Sequence, residues 1–240
     1  MAVIELRQYV LQPGQRDILI DLFDREFVEG QETAGMQIIG QFRDVDDPDR
    51  FVWLRAFPDM DSRREALTNF YLDGPVWKAH GPAANATMVD ASNALLLRPV
   101  RAESGFPPST QPRPPIGTTE RPDSRVVATI YYRHAPVDDE FVRFFDDHVM
   151  PVMAELGAGP LACLESEPAT NTFPRLPVRT GENNFVWFSR FESPARHDAH
   201  LEALSRSDVW NETVLPQLLT RLASAPQQLT LAPTARSWLR

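Results

Sequence analysis

A chain of 240 residues, 42% hydrophobic and 10% aromatic, can bury one large core or two small ones. Its net charge of −9 leaves no broad basic footprint for nucleic acid or an anionic membrane, and no apolar run approaches the roughly 20 residues of a membrane span. The one cysteine, Cys163, excludes an intrachain disulfide and fits a reducing compartment. No basic stretch followed by an apolar one opens the chain, so a soluble cytoplasmic protein is expected.

Residues 3–11 alternate apolar and polar like a strand. A helix follows from about Gln15 to Val28, with Ile18, Leu19, Leu22, Phe23 and Phe27 on one stripe. Met36 to Phe42 is a second strand, and Asp44–Asp49 carries turn chemistry. Phe51 to Phe57 forms a hairpin with it. Helical sequence fills about Ser62 to Val89, broken at Asp73-Gly74-Pro75, before a last strand at Asn93–Arg98. The order is β-α-β-β-α-β, the ferredoxin-like motif. Residues 100–124, rich in proline, read as an extended linker between a first unit, 1–99, and a second, 125–240. The second unit repeats the order: strand 126–132, helix from about Asp139, strands 161–165 and 185–191, helices 194–222, strand 228–232. Ser193-Pro194 is a good helix start, a capping hydroxyl followed by proline.

The two units echo each other in sequence. Phe51-Val52-Trp53 returns as Phe185-Val186-Trp187, 134 residues on, and Tyr9 pairs with Tyr132, 123 residues on. About 11 extra residues therefore lie between the first and third strands of the second unit, and they fall in Ser166–Asn184. A loop of that length is either functional or a surface insertion.

A ferredoxin-like sheet covers one face with helices and must bury the other. Two sheets in one chain would do so by packing face to face as an intrachain α/β barrel, with a ligand hollow of a few hundred Å³ between them. Side chains filling that interior would sink the reading of a small-molecule enzyme built on this hollow. On the first strand, Ile4 and Leu6 are expected to face the helices, and Glu5, Arg7 and Tyr9 the inter-sheet interior, where a carboxylate, a guanidinium and a phenol could orient a polar ligand. The plainer reading is an ion pair with a packed tyrosine. The same positions in the second unit are taken as Ala128, Ile130 and Tyr132. Trp53, Arg55 and Trp187 share the aromatic-rich face of the third strands and serve either as core or as ligand contacts. His148 follows Phe141 and Phe145 on the apolar stripe of its helix, opposite Arg25, and is either a general base, a haem ligand or a satisfied core histidine. His197 and His200 share a helix face but lack a third fixed ligand, so they read as surface histidines and no metal is assigned.

The strand Glu5-x-Arg7-x-Tyr9, the Phe51-Val52-Trp53 strand with Phe57, the following Arg63 and Arg64, and Trp77 resemble a NIPSNAP domain. The resemblance implies membership of the dimeric α/β-barrel superfamily, whose activities include cofactor-free oxygenases, isomerases, cyclases and haem enzymes. It implies no single activity. The first functional reading is an enzyme that binds a small, moderately apolar, oxygen-bearing molecule between its sheets without a cofactor. His148 would move a proton, Tyr9 or Tyr132 would bond an oxygen, and Glu5, Arg7, Trp53, Arg55 and Trp187 would hold the ligand. The second is a non-catalytic binding or scaffold protein that forms a homo-oligomer through its sheets. The third is a haem-binding barrel.

Overall fold

The computed structural model describes residues 2–108 and 111–240. The first half runs β1 (Val3–Leu11), α1 (Arg16–Leu22), α2 (Val28–Thr33), β2 (Gln37–Asp44), β3 (Arg50–Phe57), α3 (Met60–Thr68), α4 (Pro75–Ala86), β4 (Met88–Asp90) and β5 (Ala94–Pro99). The second runs β6 (Arg125–Arg133), α5 (Asp139–Phe144), α6 (Met150–Glu155), β7 (Ala162–Ser166), β8 (Asn183–Phe191), α7 (Pro194–Ser205), α8 (Leu215–Leu219) and β9 (Gln227–Pro233). Three helices start where a side-chain acceptor meets a free N–H group. Asp59 accepts from Ser62 N ahead of α3, Asp138 from Phe141 N ahead of α5, and Ser193 from Arg196 N ahead of α7.

In each half the strands lie in the ferredoxin-like order: β5-β1-β3-β2 and β7-β8-β6-β9. The halves then join edge to edge, β2 with β9 and β5 with β7, so eight antiparallel strands close into one barrel and β4 extends the edge of β1 beside β5. Closure removes the unpaired edges through which strands otherwise associate. Each half also straps the other beyond its last strand. Thr234 N donates to Gln41 O and Leu239 N to Ile39 O, while Val100 N donates to Cys163 O and Cys163 N to Ser104 O.

The direction in which the strands face is the reverse of the sequence expectation. Ile4 and Leu6 point into the barrel, where they pack with Phe42, Leu54, Leu97, Val126, Ile130, Val186, Phe188 and Leu231. That interior is a continuous apolar core and not a hollow, as befits a barrel of this size. Glu5, Arg7 and Tyr9 face the helices instead. Alternation fixes the period of a strand but not which face meets which layer. Apart from Gln8, Asn184 and Gln227 at one end, the interior offers apolar side chains, whereas the helices bring polar partners for a charged face.

Strand pairing also corrects the alignment of the halves. Tyr9 lies opposite Phe51, and it is Tyr131, not Tyr132, that lies opposite Phe185. The first strands are thus related by 122 residues, and Glu5, Arg7 and Tyr9 correspond to Val127, Thr129 and Tyr131. Ala128 and Ile130 belong to the barrel core, and Tyr132 packs at its margin.

Both first helices are interrupted by one π-helical turn, Phe23–Phe27 and Phe145–Val149, again 122 residues apart. Such a turn holds one residue more than an α-turn and rotates everything after it. The apolar stripe of the second half therefore runs Phe141, Phe145, Val149, Met153, all buried, and His148 is turned out to solvent. Pro151 follows the π-turn at the start of α6, within a helix that runs on without a break.

The segment 100–124 forms neither helix nor strand among the described residues. It is pinned by Arg113, which donates to Arg236 O and Ile38 O, and by Arg236, which donates to Pro114 O and pairs with Glu29. The long loop between β7 and β8 is folded over the first half: Phe173 is buried in the first half's helix–sheet core beside Tyr71. Among the described residues no helix is long and apolar enough to cross a membrane.

Candidate functional site

Between sheet and helices the first half holds a buried ionic cluster. Glu5 Oε2 accepts from Arg7 Nη1 at 3.1 Å and Arg55 Nε at 2.8 Å, and Glu5 Oε1 accepts from Arg63 Nε at 2.7 Å. The side chains of all four residues are fully buried. Burial alone would push the Glu5 carboxyl up, but Arg55, Arg7 and Arg63 together hold it well below the usual carboxylate range. The remaining donors are largely absorbed locally: Arg7 Nε donates to Tyr9 Oη at 3.0 Å, and Arg55 Nη1 donates to Gln31 Oε1 at 3.0 Å and Tyr71 Oη at 3.2 Å. The Arg55 guanidinium also lies 4.8 Å from the Trp53 ring. Of the residues expected to bind a ligand, Glu5, Arg7, Tyr9, Trp53 and Arg55 are thus brought together, but as a closed cluster on the helix side of the sheet.

The second half treats the same space differently. Asp59 and Ser193 cap equivalent helices 134 residues apart, so Arg63 corresponds to His197, as Arg55 does to Ser189. The four cluster positions Glu5, Arg7, Arg55 and Arg63 become Val127, Thr129, Ser189 and His197. Each replacement is smaller, and all four line a cavity of about 320 Å³ between the sheet and helices α6–α8. Tyr131 and Trp187, the counterparts of Tyr9 and Trp53, remain, and they also line it, with Met153, Phe191, His200, Trp210 and Gln228.

The cavity walls are largely apolar, and Thr129, Tyr131, Ser189, His197, His200 and Gln228 add polar side chains to them. Thr129 and Trp187 lie opposite one another on β6 and β8. Thr129 Oγ1 and Trp187 Nε1 are buried without a hydrogen-bond partner among the described residues. Trp187 Nε1 is close enough to the Tyr131 hydroxyl to influence it but makes no bond of good geometry with it. Burial pushes the Tyr131 phenol up, so it stays protonated. His200 is buried, and its Nδ1 lies 2.9 Å from Leu156 O. A carbonyl only accepts, so Nδ1 carries a proton, and in the neutral ring Nε2 is the acceptor. Burial, with His200 alongside, holds the His197 imidazole below its ordinary pKa and favours the neutral ring. Both rings rest on Phe191.

The other expected site residues lie elsewhere. His148 is exposed on the π-turn beside Phe144. Tyr132 donates to Gln227 Oε1 at 2.8 Å at the barrel margin. The histidines expected at the surface, His197 and His200, instead face the cavity. Their signal was in the sequence, in the alignment of Ser193 with Asp59 that sets His197 opposite Arg63. Cys163 is not a cavity residue, and burial pushes its thiol up to about 12. A larger groove of about 880 Å³ lies between the proline-rich segment and the C-terminal residues Trp238–Arg240. It is built mainly from the connections, with Ile39 and Arg190 from the strands.

The NIPSNAP family model matches residues 4–102. No curated protein matches the chain. Among solved structures, a Fusobacterium nucleatum protein provisionally named a monooxygenase superposes with a TM-score of 0.60 at 9% identity, covering 97% of this chain and 92% of its own. An anthrone oxidase-like protein superposes with a TM-score of 0.58 at 14% identity, covering 97% and 91%. A Lactobacillus acidophilus protein, also provisionally named a monooxygenase, gives 0.54 at 12% identity, covering 97% and 93%. These likenesses span both halves and establish a shared barrel fold.

Proposed function

We propose that the chain, whose residues 4–102 match the NIPSNAP family model, binds a small, largely apolar, oxygen-bearing molecule between the sheet and helices of its second half and oxidises it with dioxygen, without a cofactor. The observation that carries this reading is a cavity of about 320 Å³ whose wall includes Thr129 and Trp187, each with a buried polar atom, Oγ1 and Nε1, that lacks a partner among the described residues. A buried donor left unbonded costs about 1–3 kcal/mol, which a ligand oxygen would offset. A volume of about 320 Å³ lies at the small end of ligand pockets and suits about two or three fused rings.

The chemistry follows from the two histidines. His200 Nε2 is the basic atom, with its tautomer held by Leu156 O. It would take a proton from an acidic carbon next to a carbonyl or between aromatic rings. The enolate oxygen would be met by Trp187 Nε1–H, where charge develops. The carbanion attacks dioxygen. The hydroperoxide formed takes back the proton and loses water, leaving a ketone: CH2 plus O2 gives C=O plus H2O. The structural neighbours named for oxidase and monooxygenase chemistry support this reaction class over isomerisation or cyclisation.

Three of the readings drawn from the sequence change. The ligand is not held between the sheets, because the barrel core fills that space. Haem does not fit: a tetrapyrrole exceeds the cavity, and His148 lies outside it. Assembly through the sheets loses its main support, since the barrel closes within one chain.

The test is oxygen uptake with 1,8-dihydroxyanthrone as probe. Native protein should consume one dioxygen per anthrone and yield the anthraquinone, and His200→Gln should slow turnover about 100-fold or more. No uptake above the buffer rate, or an equal rate in His200→Gln, would overturn the assignment.

A further inference from the structure

The cluster in the first half does not balance its charge. One carboxylate, Glu5, faces three guanidiniums, Arg7, Arg55 and Arg63, and all four side chains are fully buried. Among the described residues Glu5 is the only carboxylate in ion-pair contact with the three arginines. The partners that complete them are neutral: Tyr9, Tyr71, Gln31 and the Ala91 carbonyl. The surplus of two positive charges sits where water does not screen it, and charges in such a place are expensive unless paired.

The imbalance is concentrated on Arg63. Its Nε is taken by Glu5, but its outer edge meets only the long loop between β7 and β8: Nη1 donates to Asn171 Oδ1 at 3.0 Å and to Thr172 Oγ1 at 3.4 Å. Nη2 is buried with no partner among the described residues. A guanidinium edge with two parallel N–H donors matches an oxyanion bidentately. The loop supplies two neutral oxygens there instead. It is held as a cover by its own turn, with Asn171 Oδ1 also accepting from Phe173 N and Asn171 Nδ2 donating to Leu176 O, and by Phe173 packed beside Tyr71.

We propose that the first half contains an anion site: a small oxyanion, carboxylate or inorganic, binds the outer edge of Arg63 beneath this loop, displacing Asn171 and Thr172. The loop is then a lid contributed by the second half to a site in the first. The second half has no counterpart to the cluster, so the two sites take different ligands, an anion in one and an uncharged apolar molecule in the other.

The test is thermal unfolding of the full chain titrated with sodium acetate and, separately, sodium phosphate, against sodium chloride at constant ionic strength. A saturable rise in Tm of about 5 °C is expected with at least one oxyanion, and which of the two gives it distinguishes a planar carboxylate from a tetrahedral anion. The rise should vanish in Arg63→Met. Should that variant fail to fold, Asn171→Ala with Thr172→Val removes the competing oxygens and should lower the half-saturating concentration at least threefold. A Tm that follows ionic strength alone overturns the site. A half-saturating concentration unchanged by the loop variant overturns its location.

Discussion

The two halves of this barrel start from the same strand–helix frame and fill it in opposite ways. The first half packs one carboxylate and three guanidiniums between sheet and helices, and seals them with a loop borrowed from the second. The second half keeps the aromatic pair, Tyr131 and Trp187, but places valine, threonine, serine and histidine at the four charged positions, and a cavity results. Duplication supplied the closed barrel. The four cluster positions carry smaller side chains in the second half, and they line its cavity.

The sharpest way to break this comparison is Glu5→Gln. It leaves three buried guanidiniums without their carboxylate and should cost about 3–5 kcal/mol in urea unfolding. A loss under 1 kcal/mol would show that the cluster is not the core of the first half. The same residue sets an acid dependence. Its folded pKa is depressed below the ordinary 4.5, so its contribution is complete above that value and is lost as pH falls below it. Native protein should therefore lose stability steeply below about pH 4.5, and Glu5→Gln should show a shallower slope over the same window.

A smaller, paired effect comes from the two equivalent tryptophans. Trp53 Nε1 and Trp187 Nε1 are both buried without partners, but only Trp187 lines the cavity. Trp187→Phe should weaken binding of 1,8-dihydroxyanthraquinone about tenfold by calorimetry, the worth of one hydrogen bond. Trp53→Phe should leave that affinity unchanged. The smallest effect belongs to His148→Ala, which should alter neither oxygen uptake nor stability by more than about 0.5 kcal/mol, as for an exposed side chain.

The element order, the repeat and the barrel were legible in the sequence, because the Phe-Val-Trp strands and the paired helix starts survive in both halves. Three things were not. Strand alternation carries no sign, so Glu5, Arg7 and Tyr9 were assigned to the wrong face. Adjacent tyrosines at 131 and 132 hid a one-residue error of register, which only strand pairing resolves. The π-turn at Phe145–Val149 is invisible to a 3.6-residue period, and it moved Val149 onto the stripe where His148 was expected. With the register corrected, His197 opposite Arg63 is readable from the caps alone.

The most direct test of the central claim, that the second half's sheet–helix space is the ligand site, is a crystal structure of the protein equilibrated with 1,8-dihydroxyanthraquinone. The account predicts the ring system among Thr129, Trp187, Ser189 and His200, with one oxygen within hydrogen-bond distance of Trp187 Nε1. Density for the compound in the barrel interior or in the first half, with the second-half cavity free of it, would contradict the account.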